Sequence, residues 1–194
     1  MQINLPLPHS NRPMYSLAHR FMLLTILLAF VSRSKAANAP SRLMQDICKE
    51  TAKSHCSYDD CVSALELDPT ADSADINKLA KISLQLGISN TADTRNYIKK
   101  LLKNATPESQ ETLNICLSSY VAATASFKSA LSELGEDPLS ANYDSLVAGD
   151  EVQACEDELA RNKAQIPGIT TRNNYGKLYS AIAFVVTNHL PQIS

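Results

Sequence analysis

The sequence contains no tryptophan and only five glycines in 194 residues. It also lacks a glycine-rich phosphate loop, a dinucleotide-binding glycine fingerprint, a Gly-x-Ser-x-Gly nucleophile turn and a His-Glu-x-x-His zinc motif. These absences exclude the enzyme classes that depend on those motifs. We therefore expect no cofactor, no metal ligands and no catalytic residues, and we do not expect the protein to be an enzyme.

Acidic side chains are missing from the first 36 residues. Arg12 and Arg20 precede an apolar run over residues 21–31, which only Thr25 interrupts. A helix of that length rises about 16 Å, too little to cross a bilayer core of about 30 Å. Small residues follow the run, so the pattern predicts a secretory signal peptide over residues 1–36 rather than a membrane span or a buried core helix.

Removal of that segment takes four of the 18 basic residues and leaves 14 basic against 20 acidic side chains, a net charge of −6. The remaining residues 37–194 are one domain by length. An acidic chain without a basic block argues against nucleic acids and anionic membranes as partners. We expect a secreted protein, with the vacuole as a less favoured destination than the extracellular space.

All five cysteines lie beyond the predicted signal peptide. Oxidising compartments form and keep disulfides, so five cysteines allow two bridges and one left over. A metal site is less favoured because His55 and His189 are not paired at ligand spacing and there is no Cys-x-x-Cys. A catalytic thiol is also less favoured, because nothing in the sequence singles out a histidine partner.

Helical spacing of apolar residues recurs through residues 71–194 and predicts an all-α, up-down-up-down four-helix bundle. The first helical segment runs from Asp75 to Lys103, and Gly87 with the polar stretch after it weakens its middle. The second segment has Thr106 as its cap, Pro107 as its first residue and Gly135 at its end. Asp137-Pro138 opens the third segment, and Gly149 is a predicted break within it. A turn is predicted over residues 166–174, and Pro191 stops the fourth segment.

The apolar side of the third segment is predicted to carry Tyr143, Leu146, Val147, Val152, Cys155 and Leu159. Four tyrosines occur at core spacing, and we interpret them as bundle packing rather than ligand contacts: Tyr120, Tyr143, Tyr175 and Tyr179.

A helical hairpin is predicted over residues 37–70, with Cys48 and Cys61 on its two arms and Cys56 in its loop. Each arm is too short to be stable alone, so a Cys48–Cys61 bridge makes the hairpin plausible. Cys116 and Cys155 fall on the second and third bundle segments, where a bridge would join neighbouring helices. This geometry leaves Cys56 as a free thiol that is open to an intermolecular bridge and hence to oligomer formation.

Asn104-Ala105-Thr106 forms an N-glycosylation sequon between two predicted helices. Pro107 follows it directly and lowers the expected occupancy of Asn104.

The stretch DICKETAKSHCSYDDCVSALELDP resembles the opening of the plant invertase and pectin methylesterase inhibitor family, which reads Ile-Cys-x-x-Thr, then Tyr-Asp-x-Cys-Val-x-x-Leu, then Asp-Pro. The matching residues are Ile47, Cys48, Thr51, Tyr58, Asp59, Cys61, Val62, Leu65, Asp68 and Pro69. The resemblance continues through Cys116 and Cys155 and covers residues 42–190. The gap between Cys48 and Cys61 is most similar to the invertase-inhibitor-like branch that includes pollen allergens.

The resemblance implies a helical hairpin, a four-helix bundle and two consecutive disulfides. It also implies a protein inhibitor in the plant apoplast that blocks the active-site cleft of a carbohydrate-active enzyme in a 1:1 complex. Family members that inhibit invertase carry Pro-Lys-Phe after the second bundle helix, whereas the matching stretch here is Asp137-Pro138-Leu139-Ser140. Those that inhibit pectin methylesterase use the bundle helices themselves.

We therefore expect inhibition of pectin methylesterase through the second and third bundle helices. The alternatives are inhibition of cell-wall or vacuolar acid invertase through residues 137–140, and a secreted binding protein that kept the bundle without inhibition.

Overall fold

A computed structural model describes residues 39–191, and the regular secondary structure within that range is entirely helical. The α-helices are α1 (Arg42–Thr51), α2 (Tyr58–Leu65), α3 (Ile76–Leu102), α4 (Pro107–Glu133), α5 (Pro138–Arg161) and α6 (Pro167–Asn188), with short 3-10 turns at Ala52–Ser54 and Ala71–Ser73. The all-α prediction is confirmed.

Helices α3 to α6 form an up-down-up-down bundle. Helix α4 packs between α3 and α5, and α6 packs between the same two helices on the other side. Connections of four or five residues join each helix to the next, which makes sequential helices antiparallel neighbours. Helices α3 and α5 therefore occupy opposite corners of the bundle.

Helix α3 runs without a break through Gly87, where the sequence predicted a weak point. A Cβ at Gly87 would lie 2.7 Å from Cε1 of Phe127, so glycine allows the helix to approach the buried Phe127 ring. The buried hydroxyls of Thr91 and Thr94 donate to the carbonyls of Gly87 and Asn90 within the same helix. These two hydroxyls in the polar middle of α3 are thus satisfied within the helix.

Helix α6 begins at Pro167, although the sequence predicted a turn over residues 166–174. Proline suits the first position of a helix, because its φ is already helical and its missing N–H would have no partner there. Gly168 fits against the side chain of Tyr97, which a Cβ would overlap. The Pro-Gly pair therefore marks a helix start and a close contact.

Helix α5 likewise continues through Gly149, the predicted break. A Cβ at Gly149 would overlap the Oγ atom of Ser180 on α6, and this hydroxyl donates to the carbonyl of Ser145 at 2.8 Å. Gly149 thus permits a short distance between α5 and α6. At α4 the predicted boundary is confirmed, with Thr106 as the N-cap residue and Pro107 as the first residue, although the Thr106 side chain makes no capping hydrogen bond.

Two disulfides join the helices. Cys48 of α1 is bonded to Cys61 of α2, with 5.5 Å between their Cα atoms, and Cys116 of α4 is bonded to Cys155 of α5. These are the pairs suggested by the predicted helical geometry. Cys56 lies between α1 and α2 as a free thiol. Helix α1 also packs on α6, which attaches the hairpin to the bundle.

A buried polar chain crosses the bundle interior. The Tyr120 hydroxyl donates to Oδ1 of Asn173 at 2.7 Å, and Nδ2 of Asn173 donates to Oε2 of Glu156. Tyr120 and Asn173 are fully buried, and burial raises the pKa of Tyr120 well above its ordinary value. These bonds link α4, α6 and α5 and favour one register of the three helices over slipped alternatives.

Candidate protein-binding surface

The turn between α4 and α5 is held by Asp137. Its Oδ1 accepts from the Ser140 backbone N–H at 3.1 Å, and its Oδ2 accepts from the Ser140 hydroxyl at 2.8 Å. These bonds lower the pKa of Asp137 and cap the first turn of α5. Asp137 and Ser140 thus use their polar groups to start the helix.

The other two residues of the predicted contact loop differ sharply in exposure. Pro138 is buried at the first position of α5, whereas Leu139 is 65% exposed. Among these four residues, Leu139 alone therefore offers a large, unengaged side chain to a partner.

Leu139 begins an exposed apolar row on α5. Tyr143 is 65% exposed and Leu146 is 45% exposed. Residues at positions i, i+4 and i+7 lie on one face of a helix, so the three side chains form a stripe about 10 Å long. We call Leu139, Tyr143 and Leu146 the α5 stripe. Exposed apolar surface of this kind, rimmed by polar residues, is typical of protein interaction sites.

The prediction that Tyr143 and Leu146 face the core is wrong, and so is the prediction for Tyr175, which is 47% exposed. The side of α5 that faces the core instead carries smaller residues at alternating steps of three and four: Pro138, Ala141, Ser145, Ala148, Val152, Cys155 and Leu159. Large side chains do not fit near Gly149, where α5 and α6 approach closely. The regular spacing of the small residues was the signal for the true core side.

Acidic residues stand before and after the stripe, with Asp137 ahead of Leu139 and Asp150 one turn beyond Leu146. Helix α5 contains six acidic residues and a single basic one, Arg161. Three of the acids are engaged, since the buried Glu158 pairs with Arg161, Glu156 accepts from Asn173 and Asp157 accepts from Gln153. Burial raises the pKa of Glu133 at the end of α4, and the negative charge of Asp144 on α5 raises it further. The stripe therefore lies on a helix that carries an excess of negative charge.

Cys56 lies at a separate cleft of about 630 Å³ between the hairpin loop and α6. The thiol is half-buried, and burial raises its pKa although the nearby Lys177 opposes this shift. A raised pKa reduces the thiolate fraction and hence the reactivity of the thiol. Formation of an oligomer through Cys56 stays a prediction.

The remaining predicted features concern processing. Asn104 is exposed in the turn between α3 and α4, and its glycosylation stays a prediction. The predicted signal peptide, residues 1–36, lies outside the described residues. Among residues 39–191, no helix is long and apolar enough to span a bilayer. The same range contains no cluster of three or more His, Cys, Asp or Glu side chains arranged to hold a metal ion.

Comparison with known proteins places this architecture in a family. The model of the family "Plant invertase/pectin methylesterase inhibitor" matches residues 42–183. A Platanus acerifolia protein named "Putative invertase inhibitor" is 29% identical over 174 residues, which are 88% of this chain and 93% of that protein. The "Cell wall / vacuolar inhibitor of fructosidase 2" of Arabidopsis thaliana is 31% identical over 145 residues, 73% of this chain and 78% of that protein.

A solved structure has the same fold. The crystal structure of mutant form A of a pectin methylesterase inhibitor from Arabidopsis superposes with a TM-score of 0.68 at 21% identity, covering 77% of this chain and 98% of that one. The family match includes all four cysteines of the two disulfides and runs from α1 into α6. The chain belongs to the plant invertase/pectin methylesterase inhibitor family.

Proposed function

We propose that this protein is a secreted inhibitor of a plant pectin methylesterase, which it blocks in a 1:1 complex in the apoplast. It performs no reaction of its own, and the α5 stripe enters the active-site cleft of the target. The observation that carries this proposal is the exposed row of Leu139, Tyr143 and Leu146 on a helix that is otherwise rich in carboxylates.

The composition of the stripe suits a binding anchor. A tyrosine with aliphatic neighbours supplies a large apolar contact, and tyrosine is enriched among residues that dominate binding energies. The unengaged carboxylates of α5 add a negative field that would speed encounter with a basic enzyme surface. A helix face can occlude a cleft without any reactive group, which is consistent with a protein that lacks a catalytic motif.

The stripe is also held on a rigid support. The Cys116–Cys155 bridge fixes α5 to α4, and Nδ2 of Asn142 donates to the Phe184 carbonyl at 2.7 Å and to Oγ1 of Thr187 at 2.9 Å. A surface that is ordered before binding loses less conformational entropy in the complex. Preorganisation of this kind favours tight stoichiometric inhibition.

A titration tests the proposal. The oxidised protein, secreted from the full-length chain, is added to a plant pectin methylesterase and, in parallel, to a plant acid invertase. We expect the esterase activity to fall to its residual level near one equivalent while the invertase keeps its activity. An esterase that stays fully active in the presence of excess folded protein contradicts the proposal.

Acid invertase is a second candidate target, and the names of the two relatives favour it, since one is named for invertase and the other for fructosidase. In that case Leu139, the exposed residue in the first turn of α5, would be the contact that the Pro-Lys-Phe motif supplies in the family's invertase inhibitors. Inhibition of the invertase alone in the same titration would establish this candidate. Inhibition of neither enzyme would support the third reading, a binding protein on the same fold.

A further inference from the structure

We propose that the outward face of α3 binds a linear acidic polysaccharide whose sugar carboxylates are free. The observation is a set of five exposed lysines at one corner of the bundle: Lys78, Lys81, Lys99, Lys100 and Lys103. Their spacing places the four lysines within α3 on the side opposite to its buried residues, and Lys103 is the C-cap residue that directly follows the helix. We call these five residues the α3 lysine ridge.

The charge of the bundle is strongly segregated. Helix α3 contains five basic residues and one acid, Asp93, while α5 contains six acids and one base. These two helices occupy opposite corners of the bundle. The net charge of −6 therefore includes both a basic edge at α3 and an acidic edge at α5. The argument against anionic partners, which rested on the net charge, does not apply to α3.

The lysine ammonium groups are available for a ligand. The ion pairs found within residues 39–191 involve Lys49, Arg161 and His189, and none of them includes a lysine of the ridge. Lys78 has one electrostatic neighbour, because its charge contributes to lowering the pKa of Asp68. The other four project from a helix face that no described element covers.

The arrangement suits an extended chain rather than a compact anion. Two lysines stand near the start of α3 and three near its end, and Lys81 is about 27 Å from Lys99 at 1.5 Å of rise per residue. The exposed residues between them are mostly uncharged and hydrophilic, with Gln85, Ser89 and Asn96 offering amide and hydroxyl groups. Such groups can bond to sugar hydroxyls while the lysines contact carboxylates at both ends.

A protein or a membrane fits this face less well. The large apolar side chains that are exposed elsewhere on the described chain are absent from α3. Protein interfaces usually contain a buried apolar centre, and membrane-surface helices insert apolar side chains. A second copy that docked its acidic α5 edge onto α3 would place the α5 stripe against a face that exposes no large apolar side chain to it.

The choice of a polyuronate rests in part on the proposed function. Hydrolysis of a pectin methyl ester leaves a carboxylate on the polymer, so the reaction of the proposed target creates the anion that the ridge would recognise. Because α3 and α5 lie at opposite corners, one molecule could hold the polymer and the enzyme at the same time. The inhibitor would thereby concentrate where demethylation has already occurred.

Binding to polygalacturonate tests the proposal. The oxidised protein secreted from the full-length chain is titrated with polygalacturonate and with the same polymer after methyl esterification, at about pH 6 where lysines and uronate carboxylates are ionised. The test variant carries Lys99→Gln, Lys100→Gln and Lys103→Gln. The matched control carries Lys49→Gln, Lys53→Gln and Lys163→Gln, which remove the same charge from exposed positions elsewhere.

We expect the unmodified protein to bind the polyuronate, to lose that binding with added salt, and to ignore the esterified polymer. The test variant should bind about tenfold more weakly and the control variant within about twofold of the unmodified protein. Equal affinities of the two variants, equal binding of both polymers, or equally tight binding to anionic lipid vesicles would overturn the assignment. Enzyme inhibition by the test variant should be unchanged. A wrong assignment of polysaccharide binding to the α3 lysine ridge can therefore be told apart from a wrong assignment of the inhibitor function.

Discussion

Replacement of Cys116 and Cys155 by alanine is expected to lower the free energy of unfolding by about 4 kcal/mol. The bridge closes a loop of 39 residues in sequence separation and joins α4 to α5 in the bundle interior. Without it the unfolded chain gains conformational entropy, while the folded chain keeps two small apolar side chains in place of the sulfurs. Denaturant unfolding of the oxidised protein and of the double variant, followed by circular dichroism, measures the difference.

Two control variants separate the bridge from the sulfur atoms. The Cys48→Ala, Cys61→Ala pair opens a shorter loop of 13 residues and should cost about 3 kcal/mol. Cys56→Ala removes a half-buried free thiol and should change the stability by less than about 1 kcal/mol. A Cys116, Cys155 double variant no less stable than Cys56→Ala would contradict the role given to the bridge.

Asn173→Leu is the second change with a large expected effect, a loss of about 3 kcal/mol. The substitution keeps the approximate size of the side chain but removes the acceptor of the Tyr120 hydroxyl and the donor to Glu156. Glu156 is only partly buried and can turn toward water, whereas the fully buried Tyr120 hydroxyl is left without this partner. Most of the lost free energy of unfolding therefore comes from the Tyr120 hydroxyl. Thermal and denaturant unfolding of the variant both measure this loss.

A double-mutant cycle gives the sharper result. Tyr120→Phe alone should cost about 1 kcal/mol, and the Tyr120→Phe, Asn173→Leu pair should be less destabilised than the sum of the two single changes, because the hydroxyl that lost its Asn173 acceptor is absent from the pair. Asn174→Leu, at the neighbouring exposed position, serves as the matched control and should be nearly neutral. Strict additivity of the two buried changes would contradict the proposed hydrogen-bond chain.

The helical class and the bundle could be predicted from the sequence because apolar spacing and proline positions are local signals. Pro107 and Pro138 each begin a helix, as their neighbours suggested. Pro167 also begins a helix, but its neighbour Gly168 resembled a turn signal. The contact between Gly168 and Tyr97 that makes glycine necessary joins residues far apart in the chain, so it could not be seen in the sequence.

The surface was harder to predict than the fold. Tyr143 and Leu146 were assigned to the core because large apolar residues usually lie inside. On α5 the usual distribution is reversed, because α5 and α6 approach closely. Ala141 and Ala148 are buried there, and the larger side chains of Tyr143 and Leu146 are exposed. The opposite charges of α3 and α5 were visible in the sequence, but their positions at opposite corners follow only from the topology.

The inhibition constant of the Tyr143→Ala variant against pectin methylesterase tests the binding role of the α5 stripe most directly. Tyr175→Ala is the matched control, since Tyr175 is an exposed tyrosine on α6 outside the stripe. Leu139→Ala, paired with Leu67→Ala at a position of similar exposure, provides a second comparison. Tyr143 and Leu139 are exposed, as are the two control residues, so all four variants should fold as the unmodified protein does. We predict that Tyr143→Ala weakens inhibition about 30-fold while Tyr175→Ala stays within about threefold. Equal inhibition constants for Tyr143→Ala and Tyr175→Ala would contradict the assignment of the α5 stripe as the binding surface.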